Sequence, residues 1–306
     1  MLYALTSKTI NMGISERISD WFHAFFEQLF PFLYTDQVPE DFFKAVLYLA
    51  IKFRSMFFEG TMYTLLIALT GTLLGLIIAV LIVPLKIQVI SKRDDLVTST
   101  VKKIGVIFST VYVDILRGTP MIVQAVVFYY GSIGLGLRIV TGFGTTYDKL
   151  LYGIIIVSIN TSAYIIEVLR GSINAIDKGQ MEAARSIGMT RWQAMMNIII
   201  PQALKNSVPA IGNEFVINIK DTSVLMIIPI AELFFMTTRV NGVYYRQTEG
   251  FFIATIIYLI LTLTTTRLLY FISSKIGVSK GDSYPTSQSF IKKVFNRGGI
   301  NANTKS

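Results

Sequence analysis

Apolar residues gather into long runs at 61–85, 119–137, 150–168 and 251–272, and a fifth run, 206–235, is apolar but carries Asn213, Glu214, Asn218, Lys220 and Asp221. A hydrocarbon core about 30 Å thick is crossed by about 20 helical residues, so each run is a candidate span. The first run holds Gly71 and Gly75 four residues apart, a small-residue face suited to close helix contact, and it ends at Pro84. Residues 104–116 are apolar enough to enter a membrane but are interrupted by Asp114 and Arg117. The second span is therefore expected to start near Thr119, behind Gly118-Thr119-Pro120, because proline in a first turn costs no helix hydrogen bond. The third carries Asn160, Thr161, Ser162 and Tyr164 and exits at Glu167 and Arg170. In the 206–235 run, Pro209 and Pro229 are expected to bracket or break the helix, and its charges must face the bundle interior or a partner. The pattern predicts an all-α membrane protein with a five-helix core.

Ahead of the first span, Ile18, Trp21, Phe22, Phe25, Phe26, Leu29 and Phe30 recur at helical spacing, which reads as an amphipathic helix stopped near Pro31. A second such piece covers 41–52. Either these lie at the membrane interface or they cover the first span. The expected plan is an N-terminal extension over 1–58, a transmembrane domain over 59–275, and a basic tail rich in Ser, Asn and Gly over 276–306.

Composition agrees with the membrane reading. The chain is 52% apolar and only 15% charged, against about 25% charge in soluble domains. A net charge of +9 could suggest nucleic acid, but the cations sit in loops beside apolar runs. Segments 86–103, 170–205 and 273–306 hold sixteen Lys and Arg, whereas 138–149 and 236–250 hold four. That asymmetry places the first set in the cytoplasm and predicts an N-terminus outside and a C-terminus inside. A further span within residues 10–55 would reverse only the N-terminus. Cysteine is absent and His23 is the lone histidine, so no thiol chemistry or histidine-based metal site is expected.

Between the third and fourth spans lies a segment too polar to cross, residues 167–209. Within it Glu182-Ala183-Ala184 is followed by three residues, Gly188, nine more, and Ile198-Ile199-Ile200-Pro201. One or two short helices are expected, stopping at Pro201. Small Ala183 and Ala184 admit a partner surface closely, Gly188 permits a tight bend, and Glu182 and Arg185 can fix register. This segment resembles the signature of permease subunits of ATP-binding-cassette importers, with Ile200 standing where leucine is usual. The resemblance implies that 177–201 couples to a nucleotide-binding subunit through Glu182, Ala183, Ala184, Arg185, Gly188 and Pro201.

Other stretches resemble the polar amino acid branch of that family. These are Tyr112, Arg117-Gly118-Thr119-Pro120, Gln124 and Tyr129-Tyr130-Gly131; Tyr164, Glu167, Arg170 and Gly171; and 209–214 with Lys220-Asp221-Thr222-Ser223 and Glu232-Leu233. The chain has no Gly-x-x-x-x-Gly-Lys-Ser/Thr phosphate loop, so the resemblance implies ATP and Mg on two partner ATPase subunits and no cofactor on this chain. It also implies a second permease subunit, identical or related, an extracytoplasmic solute-binding protein, and a bacterial cytoplasmic membrane. The implied cargo is a polar amino acid of the glutamine, glutamate, histidine or arginine class. Candidate pathway residues are Gln124, Asn213, Glu214, Asn218, Lys220, Asp221 and Thr222, with Lys220 and Asp221 able to neutralise each other. Arg117, Gly118, Thr119, Pro120, Glu167 and Arg170 are candidates for structural or gating roles. Two alternatives stay open: a transporter driven by an ion gradient, and a membrane enzyme using the 213–221 cluster.

Overall fold

The computed structural model describes residues 31, 35, 37–90, 94–142 and 144–275. The amphipathic helix expected over 18–30 and the tail from 276 onward lie outside the described residues. The described residues are helical: α1 (Phe42–Lys52), α2 (Arg54–Lys86), α3 (Leu96–Gly118), α4 (Met121–Gly134), α5 (Thr145–Asn174), α6 (Lys178–Ser186), α7 (Arg191–Ala194), α8 (Ile200–Asp221), α9 (Leu233–Tyr244) and α10 (Gln247–Lys275). Four of these, α2, α3, α5 and α10, are long and apolar enough to cross a membrane.

This differs from the spans expected from the sequence. The weakly apolar stretch before Gly118 is one 23-residue helix, whereas α4 beyond it has only 14 residues. Thr119 and Pro120 are extended and separate the two. In the 206–235 run Pro209 is accommodated inside α8, and the break comes later, where a 3-10 turn (Thr222–Ile227) replaces the helix. The presumed outer loop 236–250 is mostly α9 and the start of α10, turned at Tyr245 with φ 57°.

The chain divides into two compact units. The first comprises residues up to Tyr63 with Ala231–Ile257, and the second Thr64–Ile230 with the chain from Tyr258. In the first, Asp41 caps α1 by accepting from the Lys44 amide at 2.9 Å, and Glu232 caps α9 by accepting from Phe234 and Phe235. Aromatic edges join α1 to its neighbours: Phe42 meets Phe252 and Tyr48 meets Tyr244. Lys52 donates to the Tyr48 hydroxyl at 2.6 Å and lies over the Tyr48 and Tyr244 rings. Hydrogen bonding to the Tyr244 and Tyr48 hydroxyls lifts the Lys52 ammonium above its ordinary value. α1 therefore packs on α9 and on the start of α10.

The second unit is built on α5, which packs against α8, α3 and α4. α2 meets α5 through its glycines. A Cβ on Gly71 would lie 2.5 Å from Val157 Cγ1, and one on Gly75 3.0 Å from the Ser158 carbonyl oxygen. Lipid tails are as apolar as leucine, so close van der Waals approach is what holds such helices together. Ala79, Val83, Val113, Ala163, Ile165, Ile166 and Leu169 form the core below that contact.

Candidate functional site

The segment between α5 and α8 is shaped by local signals. The Asp177 carboxylate accepts from the Gly179 amide at 2.7 Å and starts α6. α6 ends in a paired reverse-bond motif: the Met189 amide donates to Ala184 and the Gly188 amide to Arg185, both at 3.1 Å. That closure requires left-handed backbone at Gly188, where φ is +89°, a conformation glycine adopts without penalty. The Arg185 guanidinium donates to the Met189 carbonyl at 2.8 Å and braces the same turn. Thr190 and Gln193 then form a reciprocal capping box that begins α7. α7 continues through a π turn (Met195–Ile199) into α8. Pro201 therefore does not stop a helix: it sits at the junction of the π turn with α8, inside a continuous helical run.

Exposure sorts the motif. Glu182, Ala183, Arg185, Gly188 and Pro201 are exposed, while Ala184 is buried against the protein. The outer face also shows Ile187, which is 78% exposed, whereas Trp192, 65% exposed, lies on the side toward Pro84 of α2. Behind it, at the base of α5, Glu167 accepts from Arg170 at 2.7 and 2.9 Å and pairs with Lys86 of α2 at 2.9 Å. The (i, i+3) spacing announces the first pairing. Nothing in the sequence announces Lys86, which is distant along the chain.

Polar residues of the bundle fall into two groups. One group is bonded internally. The Asn218 amide nitrogen donates to Thr72 Oγ1 at 2.8 Å, and its oxygen accepts from Thr161 at 3.1 Å, so one buried side chain ties α8 to α2 and α5. Gln124 donates to the Leu116 and Thr119 carbonyls and to the Thr119 hydroxyl, and accepts from Asn160 at 3.0 Å. It clamps the α3–α4 break across Gly118, Thr119 and Pro120. Thr222 is buried, its hydroxyl donating to Ile219. Tyr112 shares a 2.6 Å hydrogen bond with Ser162, and Arg117 lies over the Tyr164 ring at 5.3 Å.

The second group is open. Asn213 and Lys220 are exposed, and Glu214 and Asp221 are half-buried. Among the described residues no ion pair joins Lys220 to Asp221. Adjacent helical residues are set about 100° apart, so the two side chains leave α8 in different directions. No cluster of metal-ligating side chains is found among the described residues.

Residues 100–278 match the family described as binding-protein-dependent transport system inner membrane component. The chain is 34% identical over 213 residues to the probable glutamine ABC transporter permease protein GlnM of Bacillus subtilis, covering 68% of this chain and 88% of that one. It is 32% identical to the nopaline transport system permease protein NocM of Agrobacterium fabrum, over 67% of this chain and 81% of the relative. A crystal structure of an amino acid ABC transporter with histidines superposes with a TM-score of 0.64 at 32% identity, covering 78% of this chain and 99% of that one. This chain thus belongs to the family of inner membrane components of binding-protein-dependent transport systems.

Proposed function

We propose that this chain is the non-catalytic membrane-spanning subunit of an ATP-driven importer of polar amino acids. ATP and Mg belong to separate ATPase subunits, and the solute is delivered by an extracytoplasmic receptor. The observation that carries the reading is the α6–α7 segment: a rigid, doubly capped, outward-facing elbow joined without interruption to α8. A displacement of the elbow by a docked ATPase is transmitted along α8 to the polar positions Asn213, Glu214, Lys220 and Asp221. Conformational coupling of this kind needs two sites and an element that both bias. Here α8 is that element.

In this reading Glu182, Ala183 and Arg185 meet the ATPase, Ala184 seats the elbow on the permease, and Gly188 and Pro201 set its shape. Asn213, Glu214, Lys220 and Asp221 face the cargo route, while Asn218, Gln124 and Thr222 hold that route in place. A cargo with both an ammonium and a carboxylate suits a lining of both signs. Relatives named for glutamine and nopaline transport, and the transporter crystallised with histidines, support the amino acid class without fixing the member. The sixteen-to-four bias of cations supports a cytoplasmic elbow and a C-terminus inside.

The test is reconstitution of the full complex in proteoliposomes with its receptor. Receptor loaded with glutamine, glutamate, histidine or arginine is expected to stimulate ATP hydrolysis and uptake for a subset of the four. Uptake driven by a proton or sodium gradient with the ATPase inactivated would favour the gradient-driven alternative and overturn this reading.

A further inference from the structure

A groove opens beside the elbow, on the side of α7 and the π turn that faces α2. It is a cavity of about 260 Å³ lined by Pro84, Ile87, Gln88, Lys102, Trp192 and Met196 among others. A second cavity of about 120 Å³ continues from it, sharing Pro84, Trp192, Met196 and Ile200 and reaching Val83, Leu169 and Leu204. The deep part is apolar and the mouth is not. Arg191 and Lys102 line the mouth: Lys102 is paired with Asp94 at 2.8 Å, whereas Arg191 makes no ion pair among the described residues. Gln88 Oε1 is buried at the groove and has no hydrogen-bond partner, an arrangement that disfavours an empty groove.

We propose that this groove binds one anionic glycerophospholipid whose headgroup carries a hydroxyl, phosphatidylglycerol being the simplest case. Position argues first. α2 is apolar up to Pro84 and turns cationic at Lys86, so the groove mouth lies at the edge of the hydrocarbon layer. Trp192, mostly exposed there, is the residue type that settles at that boundary. Charge argues next. Arg191, with Lys102 beside it, presents cationic hydrogen-bond donors to a phosphate. Gln88 Oε1 needs a donor, which a headgroup hydroxyl provides and a choline does not. The apolar continuation past Val83 and Leu169 accepts the start of an acyl chain. The basic tail of this chain is the wrong sign to fill a cationic mouth. A lipid here would wedge the elbow against α2, making transport sensitive to the anionic lipid of the membrane.

The test uses the complete transporter in nanodiscs of phosphatidylcholine with a photoactivatable phosphatidylglycerol. Labelling is expected on the peptide that contains residues 191–200, competed by unlabelled phosphatidylglycerol and not by phosphatidylcholine. The double variant Arg191→Gln, Lys102→Gln should lose that labelling several-fold. Met196→Trp, which fills the apolar part without changing charge, should lose it as well. Only variants that assemble with a normal amount of ATPase subunit are compared. Equal labelling by phosphatidylcholine, or unchanged labelling in both variants, would overturn the proposal. So would a photoreactive residue at position 192 that attaches to the ATPase subunit instead of lipid.

Discussion

The elbow at 177–201 and the polar stretch at 213–222 lie on either side of the start of α8, and they use polar residues in opposite ways. In the elbow the polar side chains that cap the helices act on nearby backbone: Asp177 on Gly179, Thr190 and Gln193 on each other, Arg185 on Met189. Its shape is set locally and its face is left bare. In the polar stretch the decisive bonds are distant, as with Asn218 reaching Thr72 and Thr161, and neighbouring residues have unrelated surroundings. A locally determined element can move as a body, while one tied to two other helices can shift only when they do. Such a pairing suits a lever joined to a gate.

The comparison breaks most sharply at Gly188. Gly188→Val puts a β-branched residue at φ +89°, where strain of about 1–3 kcal/mol is expected. The relief is for the turn to open, which moves Glu182 and Ala183 away from Thr190. Receptor-stimulated ATP hydrolysis and uptake should fall about tenfold or more, at about tenfold per 1.4 kcal/mol, with membrane insertion unchanged on blotting. Gly188→Asn, which tolerates left-handed backbone better, should recover part of the loss. A Val variant with normal coupling would show that the elbow's shape is not what the ATPase reads.

Asn218→Leu tests the other side. It removes two buried hydrogen bonds at a cost of about 1–2 kcal/mol, and Thr161 can partly compensate by turning to its own helix. The expected result is a lower melting temperature of the purified complex, with cargo selectivity among the four amino acids preserved. A change of selectivity at unchanged stability would move Asn218 from the scaffold to the cargo route.

These two positions also mark how far the sequence could be read. The elbow was legible because glycine, proline and capping residues act within four or five positions of themselves. Gly188 fell where the structure bends, Glu182 and Ala183 where it is bare, and Ala184 where it packs back on the protein. Pro201 was misjudged: it does not stop the helix, because the π turn before it runs straight into α8, and a sequence does not announce a π turn. α3 was hidden for another reason: Lys102, Lys103, Asp114 and Arg117 dilute its apolar signal, although the ends of a span tolerate charge. Gly71 and Gly75 pointed correctly to a close helix contact, but the partner, α5, could not be named. Lys86 beside Glu167 and Thr72 beside Asn218 were invisible, because tertiary partners leave no periodic trace.

Glu167→Gln probes the joint between elbow and bundle with a smaller effect. Glu167 is shared by Lys86 and Arg170, and all three retain some exposure, so screening keeps the stability loss below about 1 kcal/mol. Coupling should suffer more than stability, read as a lower ratio of cargo transported to ATP hydrolysed. An unchanged ratio would leave the triad as an anchor only.

Lys220→Gln should have the smallest effect on stability and separates the two halves of the comparison most cleanly. Lys220 is exposed, with no ion pair among the described residues, so its loss should change stability by no more than about 0.5 kcal/mol. It sits two residues from buried Asn218 and next to half-buried Asp221, yet shares the bonds of neither. If it faces the cargo route, removing its charge lowers repulsion for a cationic side chain and weakens attraction for a carboxylate. Uptake should therefore shift toward arginine and away from glutamate at equal receptor loading, with basal ATP hydrolysis unchanged. Equal rates for all cargoes before and after the substitution would place Lys220 against lipid headgroups or a neighbouring subunit. The route would then be carried by Glu214 and Asp221.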